Sequence, residues 1–130
     1  MEESLYPYQK EVIELMKKYK KLLIVWAPGR GKTYVAAYVL CNVFPGPHLI
    51  VVPSRILIET WKRYLLKLSC VRKGVKVYIV TYQFVYRYLK KLKFLKFSVV
   101  VADEAHHLPA ETFRKLLTLN YDRLLMLTAT

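Results

Sequence analysis

Short apolar runs of strand length alternate with segments of helical periodicity along almost the whole chain. The five runs are Leu22–Trp26, Leu49–Val52, Val75–Thr81, Ser98–Ala102 and Arg123–Thr128. Between them, apolar residues recur at helical spacing, most clearly over Ile56–Leu68. This alternation predicts an α/β fold, a three-layer α/β/α sandwich with a mostly parallel sheet. Ligands in such folds bind beyond the carboxyl ends of the strands, so the residues that follow each strand are the candidates for a site.

Length and composition limit the classes of protein to which the chain can belong. At 130 residues it is predicted to form one domain, residues 1–130. No apolar run is long enough to cross a bilayer, and the N-terminus lacks a signal pattern. We therefore expect an intracellular protein, cytoplasmic or nuclear, without a membrane partner. Cys41 and Cys70 show no metal-ligand spacing and are predicted to be reduced core thiols rather than a disulfide.

The chain is strongly basic, with 22 Lys and Arg against 9 Asp and Glu and a net charge of +13. Such an excess attracts polyanions, and nucleic acid is the first candidate among them. The alternative is that the lysines are solvated helix ends, as the cluster Lys17–Lys21 at the end of the first predicted helix suggests. Charge alone does not decide between these interpretations, and the motifs below favour nucleic acid.

A glycine-rich segment, WAPGRGKT at 26–33, follows the first predicted strand and begins a predicted helix. Gly29 and Gly31 allow the backbone to approach phosphate, and N–H groups at a helix N-terminus bind phosphate oxygens. In the P-loop pattern Lys32 contacts the β- and γ-phosphates, and the Thr33 hydroxyl binds Mg²⁺. The full pattern begins with Gly, where this chain has Trp26. The segment predicts ATP and Mg²⁺ as ligands, bound through Gly29, Arg30, Gly31, Lys32 and Thr33.

Two adjacent acids, Asp103 and Glu104, directly follow an apolar strand. Asp103 is predicted to hold Mg²⁺ through water, and Glu104 to polarise the attacking water, so that both act in catalysis with Lys32. The alternative is an exposed acidic turn, but the chain has only nine acids and two abut here. His106 and His107 follow, without the ligand spacing of a zinc site. Neither histidine is therefore predicted to bind a metal.

These motifs occur in an order that resembles the first RecA-like domain of a superfamily 2 helicase or translocase, a P-loop NTPase fold. The other segments that carry the resemblance are YPYQ at 6–9, VVPSRILIETW at 51–61, VTYQ at 80–83, DEAH at 103–106 and LTAT at 127–130. The TYQ and DEAHHLPAETF stretches are most similar to the XPB-like branch of DNA helicases. Motor subunits of restriction enzymes share similar signatures.

The resemblance implies roles for residues outside the glycine-rich loop. Gln9 would recognise adenine, although the family commonly has Arg where Tyr6 stands. Contacts with nucleic acid are implied for Pro53, Ser54, Arg55, Thr81 and Tyr82. A role in coupling nucleotide state to nucleic-acid binding is implied for His106, Thr128 and Thr130.

The resemblance also implies one further strand and a second RecA-like domain that supplies arginine fingers. We therefore expect half of a motor, joined to its second domain in cis or in trans, with little or no activity alone. Without the further strand, Leu22–Trp26 should lie at an exposed edge of the sheet.

The function implied is the ATP-binding domain of a DNA helicase or translocase that couples ATP hydrolysis to movement, with DNA favoured over RNA. Two alternatives stay open: a non-catalytic module that binds nucleotide or nucleic acid, and a motor-subunit fragment of a restriction enzyme. An unrelated P-loop kinase would leave LTAT, VTYQ and YPYQ unexplained.

Overall fold

The computed structural model describes residues 5–129, so the coupling role suggested for Thr130 lies outside the described residues. The helices are Pro7–Lys18 (α1), Lys32–Asn42 (α2), Arg55–Lys67 (α3), Tyr82–Arg87 (α4), Leu89–Leu92 (α5) and Ala110–Leu117 (α6). The strands are Lys21–Val25 (β1), His48–Val52 (β2), Val77–Thr81 (β3), Lys96–Ala102 (β4) and Asn120–Thr128 (β5). A 3₁₀ turn covers Ala105–His107.

The five strands form one sheet in the order β1-β5-β4-β2-β3, and every neighbouring pair is parallel. The predicted parallel α/β sheet is therefore confirmed. Because the strands are parallel, all of their carboxyl ends lie at one edge of the sheet. The segments that follow the strands, which contain the candidate site residues, are thus brought to the same edge.

The core has two parts, one on each face of the sheet. Successive residues of the central strands alternate between them: Val99 and Val101 face α1, α2 and α3, whereas Val100 and Ala102 face α4, α5 and α6. All four residues are fully buried, as expected for a parallel sheet covered on both faces. The layers predicted from the sequence are confirmed.

The strands begin or end one to three residues from their predicted bounds; β5, for example, begins at Asn120 rather than Arg123. Tyr88, at φ −110° and ψ 26°, leaves the helical region and separates α4 from α5. Tyr19 is the C-cap residue of α1 and is 48% exposed. None of these differences moves a candidate site residue away from the carboxyl edge of the sheet.

The prediction of two reduced thiols is wrong, because Cys41 and Cys70 form a disulfide. The bond joins the end of α2 to the turn that follows α3, and the two Cα atoms are 4.9 Å apart. Both residues are buried, as expected of core thiols. The separation of 29 residues concealed their proximity, which depends on how α2 and α3 pack side by side.

The expectation of an exposed first strand is confirmed. β1 lies at one edge of the sheet, where Leu23 and Val25 are about half exposed. Its inner side pairs with β5, and the pairing extends to Trp26, whose N–H donates to the Thr128 carbonyl.

Among residues 5–129 no helix is both long and apolar enough to cross a membrane.

Candidate nucleotide-binding site

The glycine-rich loop connects β1 to α2 and ends where α2 begins. Gly29 and Gly31 have φ of +84° and +78°, in the left-handed region that glycine adopts without strain. Gly31 is the N-cap of α2, so no side chain caps this helix, and its first turn carries no acidic residue. The loop therefore presents a helix N-terminus that is suited to an anion.

Gln9 lies directly behind this loop and is almost fully buried. Its Nε2 donates to the carbonyls of Arg30 and Gly31 at 3.4 and 3.3 Å, and its Oε1 accepts from the Tyr6 N–H at 2.9 Å. A Cβ placed on Gly31 would overlap Nε2 of Gln9. Gln9 thus connects the start of α1 to the backbone of the loop, and the absence of a side chain at residue 31 makes this contact possible.

Tyr8 forms a second connection between α1 and the loop, and sequence reasoning missed it. Its hydroxyl donates to the Arg30 carbonyl at 2.9 Å, and the Arg30 guanidinium lies 4.8 Å from the centre of its ring. The same ring meets Trp26 edge-on at 5.0 Å. Trp26, where the phosphate-loop pattern has glycine, therefore has an aromatic partner. No sequence signal distinguished Tyr8 from the other tyrosines.

The loop and one of the two acids line a common cleft of about 360 Å³. Residues 27–33, Tyr64, Glu104 and Ala129 surround it, so Lys32, Thr33 and Glu104 are brought together. The Lys32 ammonium donates to the Trp26 carbonyl at 2.6 Å, which folds the side chain across its own loop. A groove of about 390 Å³ beside α3 and β3 is lined almost entirely by apolar side chains and lacks such chemistry.

Asp103 follows β4 and is buried beside this cleft. Its Oδ2 accepts from the Trp61 indole N–H and its Oδ1 from the Glu104 N–H, both at 2.9 Å. Burial raises the pKa of the Asp103 carboxyl, the neighbouring Glu104 charge adds to the rise, and the Trp61 hydrogen bond and the Lys32 charge oppose it. The charged carboxylate is therefore costly in this environment, and a bound cation would offset that cost.

Trp61 and Tyr82 hold the end of β4 from two other elements. Trp61, fully buried in α3, was missed as a site residue because its place on an amphipathic helix indicated only core packing. The Tyr82 hydroxyl donates to the Asp103 backbone carbonyl at 2.7 Å, and burial raises the pKa of that hydroxyl, so it stays protonated. The Tyr82 side chain is 9% exposed. Tyr82 therefore packs beneath the acidic turn, and its burial does not fit the contact with nucleic acid that the resemblance implies for it.

Glu104 has φ of +54°, a left-handed conformation that is unusual for a residue with a side chain. This turn places its carboxylate 3.4 Å from His106 Nε2 and 3.8 Å from His107 Nε2. His106 Nδ1 accepts from the Ala129 N–H at 3.4 Å. His106 therefore connects the acidic turn to the segment after β5, beside Thr128, whose side chain is buried.

The residues suggested for nucleic acid lie at the same edge of the sheet. Pro53, Ser54 and Arg55 are exposed where β2 leads into α3. Thr81 ends β3, and its Oγ1 caps α4 by accepting from the Phe84 N–H at 3.1 Å. With Tyr82 buried, four of the five residues stay available for such a contact.

The family model described as "Type III restriction enzyme, res subunit" matches residues 2–130. The chain belongs to this family. It is 32% identical over 85% of its length to "DNA 3'-5' translocase XPB2" of Sulfurisphaera tokodaii, and 31% identical over 98% to "DNA 3'-5' helicase XPB" of Kineococcus radiotolerans. These matches confirm the resemblance to the first RecA-like domain of superfamily 2 helicases, in the XPB-like branch.

The chain spans only about a quarter of the curated relatives, 27% of the first and 26% of the second. Two solved structures share its fold. The Sulfolobus solfataricus SWI2/SNF2 ATPase core in complex with dsDNA has a TM-score of 0.72 at 21% identity, over 97% of this chain and 32% of that one. The UvsW helicase of bacteriophage T4 has a TM-score of 0.76 at 17% identity, over 95% of this chain and 51% of that one. The RecA-like core fold is therefore confirmed.

Proposed function

We propose that this chain is the ATP-binding domain of a DNA helicase or translocase, intracellular, which moves along nucleic acid when joined to a second RecA-like domain. The observation that carries the proposal is the common cleft, in which Lys32, Thr33 and Glu104 face one another beside buried Asp103. The relatives are named as enzymes that act on DNA, and one structural neighbour was solved with dsDNA. The basic excess suits a polyanionic partner.

The loop side of the cleft would bind the phosphates of ATP. The uncapped N-terminus of α2 offers backbone N–H groups, and Lys32 would exchange its contact with the Trp26 carbonyl for phosphate oxygens. The Thr33 hydroxyl at the start of α2 and the Asp103 carboxylate after β4 are both oxygen ligands, so together they fit Mg²⁺. When bound, the ion would neutralise charge on the phosphates. Recognition of adenine by Gln9, which the family resemblance implies, would require its buried amide to exchange its present contacts with the Tyr6, Arg30 and Gly31 backbone.

Glu104 would accept the proton of the attacking water. The water oxygen forms a bond to the γ-phosphorus, the bond to the ADP oxygen breaks, and the proton passes to the Glu104 carboxylate. His106 contacts both Glu104 and the Ala129 backbone, so a change at the carboxylate would reach the segment that contains Thr128. We assign His106, Thr128 and Thr130 to coupling, and Pro53, Ser54, Arg55 and Thr81 to the bound strand.

ATP turnover, measured with and without single-stranded DNA and with a second RecA-like domain added in trans, tests this proposal. We expect Glu104→Gln to bind ATP as the parent does but to lose turnover. Retention of parental turnover in this variant would contradict the assignment of the base. ATP binding without turnover under all conditions, including the added domain, would favour a non-catalytic binding module.

A further inference from the structure

Glu104, His106 and His107 form a cluster of potential metal ligands distinct from the oxygen ligands proposed above for Mg²⁺. One ligand atom from each residue lies within 4.8 Å of the other two. His106 Nε2 and His107 Nε2 are 3.4 and 3.8 Å from the same Glu104 oxygen. The short spacing of these residues in the sequence gave no such indication, because the left-handed turn at Glu104 directs its carboxylate back toward both rings.

We propose that these three side chains bind a nitrogen-preferring divalent transition metal of the zinc class. Two ligands of a tetrahedral zinc ion, each about 2.0–2.1 Å from the metal, lie roughly 3.3 Å from one another. The distance from His106 Nε2 to Glu104, 3.4 Å, is close to this value, whereas His107 Nε2, at 3.8 Å, would have to move closer. Two imidazoles and one carboxylate, with a fourth position left for water, form a known ligand set for zinc.

The chemistry of this cluster separates it from the Mg²⁺ site suggested above. Imidazole nitrogen suits zinc, copper and nickel, whereas Mg²⁺ prefers oxygen ligands such as those of Asp103 and Thr33. Glu104 supplies a negative charge, and the side chain of His107 is 69% exposed, so it can rotate to complete the coordination. Cys41 and Cys70 are joined in a disulfide and offer no competing thiolate.

Metal binding would also change the contact between His106 and Ala129. His106 Nδ1 now accepts from the Ala129 N–H, so a neutral ring carries its proton on Nε2, the nitrogen that faces Glu104. A metal on Nε2 requires that proton to be on Nδ1, which then cannot accept. The Ala129 N–H would lose its acceptor, at small cost because the bond is 3.4 Å long. If the proposed function holds, the metal would also occupy the base and inhibit turnover.

Titration of the oxidised, tag-free chain with Zn²⁺ in excess Mg²⁺ and without nucleotide tests the site, with Co²⁺ absorption as a second probe. We expect one Zn²⁺ per chain, a loss of affinity of roughly tenfold or more in His107→Asn, and a shifted Ala129 amide resonance on binding. The matched control is Lys32→Ala, which changes the same cleft and should leave Zn²⁺ affinity unchanged.

Failure of the parent chain to bind Zn²⁺, or equal affinity in His107→Asn, would overturn the site. An equal loss in Lys32→Ala would also overturn it, because the metal would then depend on the glycine-rich loop. Because no nucleotide is present, these outcomes are independent of whether the chain hydrolyses ATP. His107 is exposed and has no part in the proposed reaction, so its replacement should not disturb the fold.

Discussion

The glycine-rich loop and the acidic turn face each other across one cleft, and they are held by different kinds of contact. The loop is held through its backbone, since Gln9 and Tyr8 both donate to its carbonyls. Asp103 is held through its side chain, by the indole of Trp61 in α3. The shape of the loop therefore depends on Gln9 and Tyr8 in α1, whereas the position of the carboxylate depends on Trp61 in α3.

The largest effect is expected from the Cys41–Cys70 disulfide, which fixes the end of α2, the helix that follows the loop. Replacing both Cys41 and Cys70 by alanine should lower the free energy of unfolding by about 3–4 kcal/mol, because the disulfide closes a loop of some 30 residues. Denaturant unfolding of the oxidised parent and the double variant measures this difference. A loss below about 1 kcal/mol would show that helix packing alone fixes α2.

The two loop glycines offer a matched pair, because both have positive φ but different surroundings. Gly29→Ala should cost only the backbone strain, about 1 kcal/mol, whereas Gly31→Ala should cost about 2–3 kcal/mol because its Cβ would meet Gln9. Denaturant unfolding of both variants measures the costs. Adding Gln9→Ala to Gly31→Ala should recover part of the loss, and equal costs at the two glycines would show that Gln9 does not constrain the loop.

Trp61→Phe tests the acidic turn, which faces the loop across the cleft. It removes the donor to Asp103 Oδ2 and leaves a buried carboxylate short of one hydrogen bond, so the free energy of unfolding should fall by about 2 kcal/mol at pH 7. The same substitution in an Asp103→Asn background is the control and should cost less, because the buried charge is gone. Equal costs in both backgrounds would mean that the indole contributes only packing.

The raised pKa of Asp103 predicts the sign of a pH effect. Between its ordinary pKa and its raised pKa, the folded state holds the proton more tightly than the unfolded state, so stability falls as pH rises through the raised value. Compared with Asp103→Asn, the parent should therefore lose stability as pH rises above roughly 4, at no more than about 1.4 kcal/mol per pH unit. Unfolding curves across a pH series measure the difference, and a rise with pH would contradict it.

The smallest effect is expected at His106, which connects the acidic turn to the segment after β5 only by long contacts. His106→Asn should change the free energy of unfolding by no more than about 0.5 kcal/mol, because both contacts are 3.4 Å long and the side chain is 30% exposed. Hydrogen exchange at Ala129 should nevertheless become faster, since its N–H loses its acceptor. Unchanged exchange would show that His106 does not connect the acidic turn to Ala129.

The same contrast explains what could be predicted from the sequence. The loop from Trp26 to Thr33 could be recognised because glycine, lysine and threonine at fixed spacing act locally. The strands could be predicted because runs such as Val99–Val101 are buried on both faces. Trp61, Tyr8 and the Cys41–Cys70 bond could not, because each depends on which helices lie side by side. The burial of Tyr82 likewise depends on α4 packing beneath the acidic turn.

Burial of β4 on both faces has a consequence for how its pairing with β2 is selected. In a strand with one solvent-exposed face, a slip of one residue is strongly disfavoured because it exposes the apolar side chains to water. Val99, Val100 and Val101 are apolar on both sides, so a slip would exchange one valine for another at little cost in hydrophobic burial. The correct alignment is instead marked at the strand end, where the Asp103 N–H donates to the Val51 carbonyl and the Asp103 carboxylate reaches Trp61. A shift of one position would turn that carboxylate toward the opposite layer. Asp103, which is proposed to take part in the reaction, thus also helps to fix the register between β4 and β2.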